Sequence, residues 1–388
     1  MKILHLCICG PFIPNGGYQE NLLTKYQKKL GHEIVILTSV SNGYNTDGSI
    51  KWTEPGISFL DNGIKLIRVP LMIQNSFIFS HLHWHKSIYD FIVQEKPDYI
   101  FGHDICSFNY LCLVKYRKEN PKVKIVFDNH TDYYNSASTW LSKNILHKII
   151  WKSVAQQIDS IVDKYYGVTP VRCDFLNEVY GIDKSKIGLL LMGSDDDYMQ
   201  IENRSVLRQK IRLQYNVAPN DFLIVTGGKI DDKKNIHILL KAICESNIPN
   251  VKVIIFGSIH PELKTTIDSF LSDNIIYIGW INSTDVYQYF YAADLAAFPG
   301  GHSVLWEQVC ASRTPALFSM KDGMQHISYG NCILLQENNV PYYINILREI
   351  ISEKKKYLIL KRNAEGEMSN KFLYSSIAKT TIDDYCNM

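Results

Sequence analysis

The sequence predicts an α/β protein built from two Rossmann-like, doubly wound domains. Three observations carry that prediction. Short apolar runs of strand length alternate with amphipathic stretches of helix length along the whole chain. The alternation occurs twice, before residue 192 and again after residue 220. Glycine-bearing turns join strand to helix in both halves, as in β-α-β units whose parallel sheet is covered by helices on both faces. At 388 residues the chain also exceeds what one hydrophobic core supports. The expected division is 1–192, 193–370 and a C-terminal helix, 371–388, that crosses back to the first domain.

In chain order, residues 3–8, 33–38, 98–101 and 124–127 read as buried strands, and 18–30 and 85–94 as helices between them. After residue 220 the strands are expected at 222–226, 251–256, 275–278, 295–298 and 316–319. The helices between and after them fall at 235–246, 261–271, 283–291 and 305–312. Met192-Gly193-Ser194-Asp195-Asp196-Asp197 separates the two runs and reads as a hinge or a cap. No short repeat and no low-complexity tract interrupts the pattern.

Composition removes several classes. Hydrophobic residues make up 46% and charged residues 21%, the balance of a globular chain rather than a disordered one. Lys+Arg 41 against Asp+Glu 39 gives a net charge of +2, which argues against a dedicated nucleic-acid binder. The longest apolar runs, such as 187–192, are far shorter than the ~20 residues of a membrane span. The apolar N-terminus is too short for a secretion signal, and the nine scattered cysteines read as reduced thiols. Together these give the expectation of a cytoplasmic protein.

Three strand–glycine–helix turns hold the candidate binding groups. The first strand runs into Gly10-Pro11-Phe12-Ile13-Pro14-Asn15-Gly16-Gly17, just before a helix. Ligands of open α/β sheets bind beyond the carboxyl ends of strands, and glycines let backbone approach an anion. The alternative is a plain strand–helix turn. In the second half, Gly227-Gly228-Lys229 and Lys234-Asn235 bracket a similar turn with two cations, the charge and N–H donors a pyrophosphate needs. The glycine and lysine spacing is not that of a Walker loop. A solvated lysine cluster capping a helix is the other reading. Finally, 298–308 (FPGGHSVLWEQ) joins strand to helix through Gly300 and Gly301. The N–H groups of Gly301, His302, Ser303 and Val304 can meet sugar hydroxyls or phosphate, and Glu307 can accept from a ribose diol. Glu307 as a favourable first-turn acid is the alternative.

With these residues in view, the chain resembles the retaining glycosyltransferases of the GT-B fold, closest to glycosyltransferase family 4, over nearly its full length. Gly16-Gly17 and Leu30-Gly31-His32-Glu33-Ile34-Val35 resemble the family's glycine loop and its "GHEV" strand entry. Asn129-His130 falls where the family carries an active-site histidine. Gly167-Val168-Thr169-Pro170 is similar to its "VS" strand end, and Met192-Gly193-Ser194-Asp195 to its interdomain "NGVD". Gly228-Lys229 and Lys234-Asn235 resemble the Gly-Arg and Lys-Gly pairs that hold the donor diphosphate, with lysine lacking arginine's bidentate fork. Gly279-Trp280-Ile281 is similar to the "GFV" turn whose last residue meets the nucleotide base through backbone atoms. Glu307 takes the second place in a motif of two glutamates separated by seven residues. Pro299 takes the first, so the usual glutamate contact to the donor sugar is missing, and His302 or Ser303 is a replacement.

The resemblance implies two domains facing a central cleft, the N-terminal one binding acceptor and the C-terminal one the nucleotide sugar. It implies a donor site of Gly16, Gly17, Lys229, Lys234, Gly257, Trp280, Ile281, Gly301, His302, Ser303, Val304 and Glu307, with His130 catalytic and His103 a lesser candidate. It further implies a metal-independent retaining transfer from a nucleotide sugar, UDP-linked by preference or GDP-linked, to a glycan or glycolipid of a surface polysaccharide. A GT-B epimerase or phosphorylase and a non-catalytic nucleotide-sugar-binding subunit are the alternatives. Two further segments stand apart. His81-Leu82-His83-Trp84-His85 invites a zinc reading, but it shows no third ligand and reads better as a surface aromatic cluster. Residues 140–152 place Leu141, Ile145 and Ile149 at helical spacing with Lys143, Lys148 and Lys152. They form either a core-packed helix or a basic face for an anionic membrane.

Overall fold

The computed structural model describes residues 1–45, 49–73, 82–321 and 323–388. It divides into two units, Met1–Leu191 with Ile377–Met388, and Met192–Ser376.

The first unit is organised on an eight-stranded sheet ordered β10-β9-β8-β7-β1-β2-β6-β5. Its strands are β1 (Lys2–Cys7), β2 (Glu33–Ser39), β5 (Gly56–Phe59), β6 (Lys65–Val69), β7 (Tyr99–His103), β8 (Lys124–Asn129), β9 (Lys164–Gly167) and β10 (Ile187–Leu189); β3 (Ser41–Tyr44) and β4 (Ile50–Trp52) form a separate antiparallel pair. All pairings in the large sheet are parallel except β5 with β6. The central strands are apolar on both faces, as a sheet buried on both sides requires. From β1 the chain moves outward through β2, then returns to the other side of β1 to lay down β7 and β8. The reversal therefore falls between β1 and β7. In open α/β sheets the ligand crevice lies there, outside the strands' carboxyl ends.

The helix Gln19–Lys29 follows β1. Glu20 in its first turn and Lys28 and Lys29 in its last complement the helix dipole, and Gly31 at φ 90° ends it. Leu22, Leu23 and Tyr26 face the sheet. The C-terminal helix Tyr374–Asn387 returns its last residues to this unit, where Asp384 takes bonds from Lys164 at 2.8 Å and the Tyr166 hydroxyl at 2.7 Å.

The second unit has a six-stranded parallel sheet ordered β13-β12-β11-β14-β15-β16. Its strands are β11 (Phe222–Ile230), β12 (Val251–Ile259), β13 (Ile275–Tyr277), β14 (Leu295–Phe298), β15 (Ala316–Ser319) and β16 (Cys332–Leu335). Here the reversal lies between β11 and β14.

β11 and β12 are longer than the sequence suggests. Gly227 and Gly228 were expected to leave the strand, yet they continue it, in register with Phe256 and Gly257. The reason is steric. A Cβ on Gly257 would stand 1.9 Å from the Gly228 carbonyl oxygen, and one on Gly227 would stand 2.2 Å from that of Phe256. Gly228 and Gly257 also sit at φ 100° and 112°, a region only glycine enters cheaply. The glycines serve close strand contact first.

Of the hinge or cap expected at Met192–Asp197 the cap is present, and one further expectation, at 140–152, changes. The Met192–Asp197 segment is packed within the second unit: Ser194 bridges Leu373, and Asp195 caps the short helix Asp196–Met199. The 140–152 stretch forms wide π-type turns over Ser142–Trp151. Its buried side is His147 and Trp151, with Leu146 and Ile150 against the core. Trp140, Leu141, Ile145 and Ile149 remain exposed, so the stripe read from the sequence faces outward. All nine cysteines are free, and no helix among the described residues is long and apolar enough to cross a membrane.

Candidate functional site

In the first unit, the carboxyl ends of β1, β7 and β8 and the start of the first helix converge on one carboxylate. Asp128, with no exposed surface, is the penultimate residue of β8. Its Oδ2 accepts from His103 Nδ1 at 2.8 Å and from Gln19 Nε2 at 3.3 Å, and its Oδ1 accepts from the Asp104 amide at 3.2 Å. His130 Nε2 lies 3.5 Å from the same Oδ2. The His130 amide donates to Asp104 Oδ1 at 2.7 Å and its carbonyl accepts from Asn135, so backbone and ring are both held.

Burial disfavours charge on His130, but Asp128 and Asp104 outweigh it and raise the pKa. Burial raises the pKa of Glu20 and Asp104, which share this neighbourhood. His130 is thus a partly exposed ring at a strand end, surrounded by acid groups, as a group that meets a polar ligand requires. The sequence pointed to His130 and His103. It missed Asp128, Asp104 and Gln19, although the residues around His103 and His130 at two neighbouring strand ends carried the signal.

Gly16 contributes differently from the expectation of a free anion loop. Its N–H donates to Ile13 O at 3.1 Å, and a Cβ there would stand 3.0 Å from Asn21 Oδ1. Gly17 precedes the helix whose Gln19 reaches Asp128.

In the second unit two loops are stitched together at the β11/β14 reversal. Gly300 must be glycine, because a Cβ would meet Lys234 Cα at 2.2 Å. The Gly301 amide donates to Lys233 O at 3.1 Å, Asn235 Nδ2 to Pro299 O at 3.2 Å, and Lys234 Nζ to Gly301 O at 2.5 Å. The Gly301 amide is therefore spent inside the protein, which corrects its expected role as a ligand donor. Lys321, just past β15, brings its ammonium near the same turn. The Gly301 Cβ position lies 3.7 Å from Lys321 Nζ and 3.8 Å from Lys234 Nζ. Burial and Lys321 both lower the Lys234 pKa against the pull of Asp231. Two ammoniums crowding one turn favour an anion there. Lys229 is exposed at the end of β11.

Glu307 is fully buried in the helix Leu305–Ala311. Its Oε1 is held by His302 Nε2 at 2.8 Å and His326 Nε2 at 3.0 Å, while Oε2 has no partner among the described residues. Burial would raise its pKa, but the two histidines prevail and hold it at about 2. His302 Nε2 is thereby occupied, leaving Nδ1 for any sugar contact. No sequence motif marks His326, which lies in the single 3-10 turn Gln325–Ile327. Ser303 and Val304 lead into the helix, and Ser303 O accepts from the Trp306 amide. Gly257 N–H donates to Gly279 O at 2.7 Å, which anchors the turn bearing Trp280, 73% exposed, and Ile281.

Two groups present metal-type donors within 4.8 Å of one another, His103–Asp128–His130 and His302–Glu307–His326. Both His103 nitrogens are already engaged, so the second set is the freer one. His81 lies outside the described residues. His85 is buried and pinned through its backbone by Asn109, and no metal-type group among the described residues includes His83 or His85.

The lowered Glu307 pKa has a consequence for acid stability. A carboxylate near 2 when folded and near 4.5 when unfolded contributes stability above pH 4.5 and loses it as pH falls towards 2. The difference corresponds to at most roughly 3 kcal/mol. Between pH 5 and 2.5, Glu307→Gln is expected to lose melting temperature less steeply than the parent in a thermal melt. Parallel pH slopes for the two proteins would show that Glu307 is not held ionised.

Comparison with known proteins bears on the whole chain. Residues 21–198 match the family described as Glycosyltransferase Family 4, and residues 208–367 match Glycosyl transferases group 1. Mannosylfructose-phosphate synthase of Agrobacterium fabrum is 22% identical over 326 residues, spanning 73% of this chain and 68% of that protein. A glycosyltransferase from Rickettsia africae superposes with a TM-score of 0.72 at 18% identity, covering 100% of this chain and 98% of that one. HepE of Anabaena, solved in complex with UDP, gives 0.70 at 16% identity with both chains covered to 100%. The two family matches follow one another along nearly all of the sequence, and the fold superposes on that of the solved glycosyltransferases: the chain belongs to the group 1 glycosyltransferases of the GT-B fold.

Proposed function

We propose that the protein moves a sugar from a nucleotide sugar, UDP-linked by preference, to a glycan or glycolipid of a surface polysaccharide, with retention of anomeric configuration and without a metal. One observation carries the donor assignment. Glu307 offers a buried carboxylate oxygen with no partner among the described residues, in the first turn of the helix that follows the turn crowded by Lys234 and Lys321. A ribose diol can donate to Glu307 Oε2, and a diphosphate can take the ammoniums. HepE has been solved with UDP and with UDP-glucose, which supports a uracil nucleotide here.

In the proposed reaction the bond between the anomeric carbon and the diphosphate oxygen breaks, and its electron pair goes to the diphosphate. Lys234, Lys321 and Lys229 stabilise that charge. The acceptor hydroxyl adds to the anomeric carbon on the face the diphosphate leaves, and its proton passes to a leaving-group oxygen. His130 meets the donor sugar near its anomeric carbon and is not a nucleophile.

Calorimetric titration with UDP and with GDP, in EDTA throughout, tests the donor site. UDP binding is expected, with Lys234→Ala weakening it about 10- to 100-fold, the scale of one charge-assisted contact. Binding that requires restored Mn²⁺ or Zn²⁺, or an unaffected Lys234→Ala, would overturn the assignment.

We further propose that residues 140–152 dock on an anionic bilayer at the cytoplasmic side. Trp140, Leu141, Ile145 and Ile149 are 73, 64, 37 and 58% exposed. They stand beside a depression of about 420 Å³ lined by Tyr133, Lys143, Asn144 and Lys148. An apolar stripe with flanking ammoniums complements acidic headgroups over acyl chains. Co-sedimentation is expected with phosphatidylglycerol-containing vesicles, not with phosphatidylcholine alone, and is expected to fall several-fold in Trp140→Ala/Lys143→Ala. Equal recovery of the two proteins would remove the segment from membrane binding.

A further inference from the structure

The histidine pair behind Asp128 has a protonation state that hydrogen-bond direction fixes. Thr381 Oγ1 donates its one hydrogen to Ala378 O at 2.7 Å, so towards Gln27 Nε2, 2.9 Å away, it can only accept. Gln27 therefore presents its amide nitrogen to Thr381 and its Oε1 to His5. His5 Nε2, 2.7 Å from Gln27 Oε1, must carry a proton. A neutral His5 then has a bare Nδ1, which at 3.0 Å accepts from His103 Nε2–H. The other His103 nitrogen donates to Asp128. Both His103 nitrogens are donors.

We infer that His103 is an imidazolium throughout the working pH range, and that it is a positioning residue holding Asp128 ionised and directed at His130. The alternative places the charge on His5. That moves it one ring away from the carboxylate, beside an uncharged amide and fully buried, which is the costlier arrangement. Burial lowers the His5 pKa to about 3, whereas Asp128 overcomes burial and lifts that of His103 well above its ordinary value.

The surroundings are predominantly acidic. Cys7 faces the pair from β1, Glu20 from the first helix, Asp104 from the end of β7, and His130 from the end of β8. Arg172 is occupied by Asp132 at 3.1 Å. His103 is thus the cation that answers Asp128 from below. Without it, His130 alone would answer that carboxylate and would hold its proton to higher pH. The tautomer is set by a backbone carbonyl of the C-terminal helix, that of Ala378, acting through Thr381 and Gln27.

Histidine-selective ¹⁵N NMR of the full chain reads this directly and does not depend on any activity. His103 is expected to show two ring N–H protons at pH 8.5, and His5 one, on Nε2. Gln27→Met removes the acceptor that fixes His5 and is expected to cost His103 its Nε2 proton. The second arm rests on the proposed transferase reading: in a pH profile of donor turnover, the acid limb of His103→Asn or Gln27→Met is expected to move up by about one pH unit. A single N–H on His103 in the parent would overturn the charge assignment. Two N–H protons with superimposable pH profiles would overturn the positioning role.

Discussion

A buried carboxylate must be answered, and in this protein Asp128 is answered from four directions. An isolated ionised carboxyl in a protein interior costs several kcal/mol, so the fold has to bring donors to it. β7 supplies His103, the first helix supplies Gln19, the β7 end supplies the Asp104 amide, and β8 carries on to His130. Meeting that demand fixes the strand ends on both sides of the sheet reversal. The His130 backbone is then tied to Asp104, so the ring that faces outward is placed by groups that do not.

The second unit solves an equivalent problem with the opposite sign. Lys234 and Lys321 crowd the Gly300–Gly301 turn, and the turn is held by carbonyls rather than by acid side chains. A carboxylate, Glu307, is buried nearby, but the two histidines on Oε1 satisfy only half of it. What remains is a turn crowded by ammonium groups and an acceptor oxygen, Glu307 Oε2, with no partner among the described residues. The first is suited to phosphate and the second to a diol.

Much of this was legible in the sequence, and the reason is periodicity. The parallel strands are apolar runs because both faces are buried, so their order and the turns at their carboxyl ends could be read directly. Glu307 and Lys234 followed from those turns, and His130 from the resemblance to the family's active-site histidine. The antiparallel edge strand β5 was not legible, since its residues are exposed and carry no alternation. Glycine's preference for turns points to a loop at Gly227 and Gly228; the close approach of β11 and β12, which leaves no room for a Cβ at Gly227 or Gly257, outweighs that preference. Lys321 and His326 join the site only through tertiary packing. The outward stripe at 141, 145 and 149 depends on π-type turns that side-chain spacing alone does not reveal.

His130, held by Asp128 and Asp104, is proposed to act on the donor sugar during the reaction. A group engaged chiefly in the reacting state affects turnover far more than ground-state binding. The most direct measurement compares His130→Ala with the parent for donor turnover and for donor affinity. In the variant kcat is expected to fall by roughly 100-fold or more, with the dissociation constant of the nucleotide sugar nearly unchanged. Parent-like turnover in the variant, or a loss confined to donor affinity, would contradict it.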